Sequence, residues 1–141
     1  MQQVDKRTLS NEMFVLRTIT VTKQLAAENP EASPIVGSFS FFSLLTHGED
    51  PRNDIYWLTT TTLPMICSLL ALRDHGKALP EVLTWHIYLR IKAALSWLTD
   101  TCQPGIAHGD VHEGYVLVGY TSPASDQQRL GLPVVKLNRL R

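Results

Sequence analysis

The sequence predicts an α+β fold, and three observations predict it. Apolar residues recur at helical spacing near the start and again in a long stretch past the middle. Between them lie two runs rich in β-branched and aromatic residues, separated by a polar segment. Helices and strands follow in blocks, not in the βαβ alternation that builds a parallel sheet. At 141 residues the chain suffices for one compact domain and is short for two.

Leu9, Met13, Leu16 and Ile19 share one helical face, and Thr8 or Ser10 can cap the first turn. This helix is expected from Thr8 to about Ala27. Thr18-Ile19-Thr20-Val21-Thr22 is its candidate break, because β-branched side chains are stiff against the preceding turn. Asn29-Pro30 and Ser33-Pro34 then punctuate a loop. Ile35 to Thr46 reads as a strand with Gly37 near its start, His47 to Asp54 as a polar turn, and Ile55 to Thr62 as a second strand. The two strands are expected to pair antiparallel.

A short helix is expected from Ser68 to Asp74, closed by Gly76. Pro80 suits the first turn of a longer helix ending near Asp100. Leu83, Ile87, Ile91, Ala94, Leu95 and Leu98 share one face of it; Trp85, Tyr88, Leu89 and Trp97 lie elsewhere and need a second covering layer. After a Pro104-Gly105 turn come short extended pieces at Ile106–His108 and Tyr115–Gly119. A polar loop from Thr121 to Pro133 leads to a last strand at Val134–Leu137. The second half is thus expected to be mostly helical.

Lys plus Arg balances Asp plus Glu at 13 each. That balance gives no electrostatic argument for nucleic acid or an anionic membrane, and no repulsion to oppose self-association. No apolar run approaches the roughly 20 residues of a membrane span, and residues 1–7 lack the apolar core of a secretory signal. The expected compartment is the cytoplasm, with the nucleus open. Cys67 and Cys102, each in an apolar stretch, are expected as buried reduced thiols. Phe39, Phe41, Phe42, Tyr56 and Trp57 are expected in the core.

The stretch that carries chemistry is Gly105 to Val118, GIAHGDVHEGYVLV. His108-x-Asp110-x-His112 would line one face of a strand and invites a metal reading. A catalytic zinc or iron site needs at least three placed ligands with supporting partners, and His47, His75 and His86 are scattered, so no metal site is expected. A loop held by internal hydrogen bonds, without chemistry, is the plainer reading.

The same stretch resembles the protein kinase catalytic loop, H-R-D-L-x-x-x-N. The resemblance makes His108 the loop-supporting histidine and Asp110 the residue that accepts the substrate hydroxyl proton. Gly109 stands in place of the usual Arg. Five positions after Asp110, where the family has its metal-binding Asn, stands Tyr115. A phenol is a poor substitute for an amide carbonyl beside Mg²⁺. SNEMFVLRTI looks like the regulatory helix, with Glu12 at its ion-pairing glutamate. Without a lysine partner, Glu12 reads as a solvated helix residue. Thr59 to Met65 looks like the hinge, where Thr60, Thr62 and Leu63 would lie near adenine. Pro133-Val134-Val135-Lys136-Leu137 looks like the strand before D-F-G, which would fall on Arg139-Leu140-Arg141. The phosphate-binding lysine has Gln2 as its nearest positional candidate, and no Gly-rich loop precedes the first helix.

On this resemblance the chain is a truncated, degenerate protein kinase-like domain. Residues 1–62 would be a small-lobe remnant; residues 63–141 would hold the hinge, the first large-lobe helices and the catalytic loop. The implied function is a pseudokinase-like module without activity that acts by protein interaction. Its partner would be another protein or a second copy, met through exposed large-lobe helices. No cofactor is expected; ATP and Mg²⁺ would be needed if the family activity were retained. The alternatives are a divergent Ser/Thr protein kinase and a kinase-like small-molecule phosphotransferase. Aminoglycoside and choline kinases also carry HGD, which fits Gly109. The 40 positions from Ser68 to His108 fit protein kinases better, because the small-molecule enzymes insert helices there.

Overall fold

A computed structural model describes residues 6–28, 40–53, 55–63, 65–76, 78–120 and 132–138. The elements are α1 (Lys6–Glu28), β1 (Leu44–Asp50), β2 (Ile55–Thr60), β3 (Met65–Ser68), α2 (Leu69–Asp74), α3 (Glu81–Asp100), β4 (Val116–Tyr120) and β5 (Val134–Leu137). The fold is α+β, with an antiparallel β1–β2 pair and an antiparallel three-stranded sheet in the order β3-β4-β5. Among its described residues the second half carries two helices and three strands, with more residues in the helices than in the strands.

α1 runs unbroken through its β-branched patch. Thr18, Thr20 and Thr22 donate their hydroxyls to the carbonyls of Phe14, Leu16 and Thr18, at 3.0, 2.8 and 2.8 Å. Each threonine is thereby accommodated within the helix in place of a competing local bond. Thr20 Oγ1 also accepts from Leu44 N at 3.0 Å, which fastens β1 to α1.

The first strand lies later than expected. β1 runs through the first half of the segment read as a turn, and its register with β2 runs from Leu44↔Thr60 to Asp50↔Ile55. The turn shrinks to the residues just after Asp50. There the Asp50 carboxylate accepts from Arg52 N at 3.1 Å and Asn53 Nδ2 at 2.8 Å. Gly48 lies under the Trp57 ring, where a Cβ would collide with the indole. That packing gives a polar, glycine-containing segment a reason to stay extended. Gly37 and the Pro30 and Pro34 loop lie outside the described residues.

β3 is an unexpected strand, paired with β4 from Met65↔Tyr120 to Ser68↔Leu117. It places Cys67 on an exposed edge, so only Cys102 is buried as expected. Ser68 then caps α2, its side chain accepting from Ala71 N at 3.1 Å, and Gly76 follows with φ +70°. α3 begins after Pro80 and ends at Asp100, as the sequence implied.

The core joins Val15 and Ile19 of α1 to Phe41, to Ala94, Trp97 and Leu98 of α3, and to inward residues of β4 and β5. Phe41 stacks on Trp97 with ring centroids 5.8 Å apart. Trp97 therefore needs no second layer, whereas Trp85, Tyr88 and Leu89 do remain exposed. Phe41 and Phe42 are buried, but Trp57 is 47% exposed on the two-stranded sheet and Tyr56 only half-buried, contrary to the expectation of core positions. Phe39 lies outside the described residues.

Candidate functional site

The loop between α3 and β4 is held at both ends. Ile106 N donates to Leu98 O at 2.9 Å as the chain leaves α3. At the other end Tyr115 N and Val116 N donate to His112 O at 2.9 and 3.2 Å, and Asn138 N donates to Tyr115 O at 2.9 Å. Glu113 ties the loop to α2: its carbonyl accepts from Leu70 N at 3.0 Å, and its carboxylate pairs with Arg73.

His108 sits beneath this loop, 3% exposed. Its Nδ1 accepts from Asp110 N at 3.4 Å. That bond assigns the proton of the neutral ring to Nε2, which has no partner at hydrogen-bond distance among the described residues. Burial holds the imidazole below its usual pKa. The Asn138 backbone and the Asp110 carboxylate pull the other way, and His112 adds to the lowering. Gly109, between His108 and Asp110, has φ +78°, a conformation natural to glycine. Asp110 is half-buried.

Residues 108–112 form no strand, so the alternation that would align His108, Asp110 and His112 does not arise. His112 instead lies against Tyr115, ring centroids 3.9 Å apart, and its Nδ1 accepts from Gly114 N at 3.0 Å. Among the described residues, no three His, Cys, Asp or Glu side chains gather as a metal group.

A second locus lies between α1, β2 and the end of β5. Glu12, Leu16, Phe41, Phe42, Leu58, Thr60, Leu137 and Asn138 line a cavity of about 60 Å³. That is well below the roughly 300–1,000 Å³ of ordinary small-molecule sites. The fold thus brings Glu12 and Thr60 to one cavity, and Glu12 is half-buried, not a freely solvated helix residue. Asn138 links the two loci, since it lines the cavity and its backbone influences His108. Thr62 is exposed on the link after β2, its hydroxyl donating to Leu63 O at 3.4 Å, and Leu63 is buried. Gln2, Arg139 and Arg141 lie outside the described residues.

Sequence reasoning missed a pair of lysines beside this cavity. Lys23 Nζ donates to Phe41 O at 2.7 Å and Ser43 Oγ at 3.1 Å, while Lys136 Nζ donates to the same carbonyl at 3.2 Å. Lys136 also stands 5.3 Å from the Phe42 ring centroid. Burial, and then the Lys136 charge, bring Lys23 down to about 8, and burial lowers Lys136 as well. Lys23 lies four residues after Ile19 on α1, and Lys136 alternates with the buried Val135 and Leu137 on β5, but nothing local in the sequence joins the two.

No protein-family model matches the chain, and no curated protein matches it.

Proposed function

We propose that this chain is a protein kinase-like module that does not transfer phosphate and works through protein contacts. The observation that supports the reading is the convergence on Asn138. Glu12 and Thr60 share a cavity with it, and the buried His108 lies beside its backbone. In the kinase reading these are the helix glutamate, the hinge approach, the loop-supporting histidine and the strand leading to the metal-binding segment.

The same reading argues against catalysis. Tyr115 occupies the position of the metal-binding Asn, and its ring packs on His112. Arg139 occupies the position of the metal-binding Asp. Without two oxygen ligands for Mg²⁺, the loop loses the main electrostatic stabilisation of phosphoryl transfer. Thermal-shift measurements with ATP, with and without Mg²⁺, test this. The expected result is no stabilisation that depends on Mg²⁺. A shift that requires Mg²⁺ and vanishes in Asp110→Ala overturns it.

Gly109 supports a second reading, a kinase-like small-molecule phosphotransferase. Its φ of +78° is one that glycine adopts freely, and the HGD triplet is the form those enzymes carry. Phosphate transfer from ATP to choline or an aminoglycoside, lost in Asp110→Ala, would favour this reading over the first.

A further inference from the structure

α3 has two apolar faces, and the core uses one of them. Ile87, Ala94, Trp97 and Leu98 are buried. On the other side Val82, Trp85, Tyr88 and Leu89 are 69%, 57%, 55% and 57% exposed. The two aromatics are already arranged: the Trp85 and Tyr88 rings meet edge to face at 5.9 Å, and Trp85 Nε1 donates to Glu81 Oε1 at 3.4 Å. Rings held in this way lose less freedom when something covers them.

The charges on this face have an order. Glu81, Trp85, Leu89 and Lys92 follow at i, i+4, i+8 and i+11, one stripe along the helix, with Val82 and Tyr88 flanking it. All six are exposed. Among the described residues neither Glu81 nor Lys92 makes an ion pair. The stripe therefore begins with a carboxylate, continues apolar and ends with an ammonium about 16 Å further on, at 1.5 Å per residue.

A face in that order is complementary to a copy of itself running the other way. An axis between positions 86 and 87 sets Trp85 opposite the partner's Tyr88, and the same axis sets Glu81 opposite the partner's Lys92. A parallel pair would oppose Glu81 to the partner's Glu81. We propose that the occupant of this face is a second copy of the chain, with α3 packed antiparallel on α3 about a two-fold axis. The zero net charge offers no opposing repulsion. Four apolar side chains make a smaller patch than the roughly 800 Å² per partner of a standard interface, so the dimer is weak and concentration-dependent. The proposal supplies the partner for the interaction part of the function above and rests on none of its catalytic-loop argument.

Sedimentation velocity on the whole chain, from about 1 µM to about 1 mM, tests it. The expected result is a mass that rises toward twice the monomer. Trp85→Glu should abolish the rise. Glu81→Lys and Lys92→Glu should each weaken it about tenfold, and the double exchange Glu81→Lys/Lys92→Glu should restore it. Lys92 lies mid-helix and exposed, so its variant remains informative if Glu81→Lys disturbs the helix start. Circular dichroism confirms that each variant is folded. A monomer at every concentration overturns the proposal, as does a dimer indifferent to Trp85→Glu or to both single reversals. Single losses that the double exchange fails to rescue overturn the antiparallel register. None of these outcomes bears on the ATP measurement, so the two readings fail separately.

Discussion

His108 and Lys23 are bases that the folded chain holds partly or wholly out of water, and both make stability depend on pH with a definite sign. His108 is buried, so its folded pKa lies below the ordinary 6.5. As pH falls from 6.5 toward that folded value, the unfolded chain takes up the proton first, and stability drops. Asp110 and the Asn138 backbone soften the effect without reversing it. Thermal melts of the wild type below pH 6.5 should therefore show a loss that His108→Gln lacks. Lys23 has the same sign in another window. Its folded pKa of about 8 lies below the ordinary lysine value of 10.5, so its penalty is present in full below about 8. Stability should rise as pH climbs from about 8 toward 10.5, and Lys136 adds in the same direction. Lys23→Met should flatten that rise in chemical denaturation curves collected across the window. If the rise keeps its full size in the variant, the lysine pair is not its source.

At the scale of the element, the ends of helices were the legible part. Pro80 and the apolar period located α3 through to Asp100, and Gly76 marked the stop after α2. The Ser68 cap explains why α2 starts where it does, and Ser68→Ala should lower stability by about 1 kcal/mol in urea melts. A change under a few tenths would mean that the cap bond is not formed in solution. Strands were less legible, for two physical reasons. β3 is four residues long and apolar, and it runs directly into a helix, so no period distinguishes it from the turn that follows. β1 belongs to a two-stranded sheet with most of its residues exposed, so its sequence carries no inward alternation. The HGD loop stood out as a motif, and the fold does bury His108. The shared cavity of Glu12 and Thr60 and the two lysines on the Phe41 carbonyl depend on α1, β2 and β5 meeting in space, which no local pattern encodes.

Over the whole molecule, the two tryptophans Trp57 and Trp97 exchange the roles the sequence suggested for them, and the exchange shows where stability resides. The buried cluster draws on α1, α3, β4 and β5 around Phe41, and no residue of β1 or β2 belongs to it. The hairpin is instead fastened from outside, through the bond from Leu44 N to the Thr20 hydroxyl of α1. Trp97 stands at the centre, stacked on Phe41, so Trp97→Ala empties a site that α1, α3 and the three-stranded sheet all depend on. Urea melts should show a loss of about 3–5 kcal/mol. Trp57 covers Gly48 on a half-exposed surface, and Trp57→Ala should lower stability by less than about 1 kcal/mol, while amides of β1 and β2 exchange faster. Trp97→Phe is the informative intermediate. It keeps a ring against Phe41 and removes an indole N–H that has no partner among the described residues, so it should lower stability by clearly less than Trp97→Ala. Equal losses for Trp57→Ala and Trp97→Ala would mean that the hairpin belongs to the same cooperative core, and the division into a central cluster and an attached hairpin would be wrong.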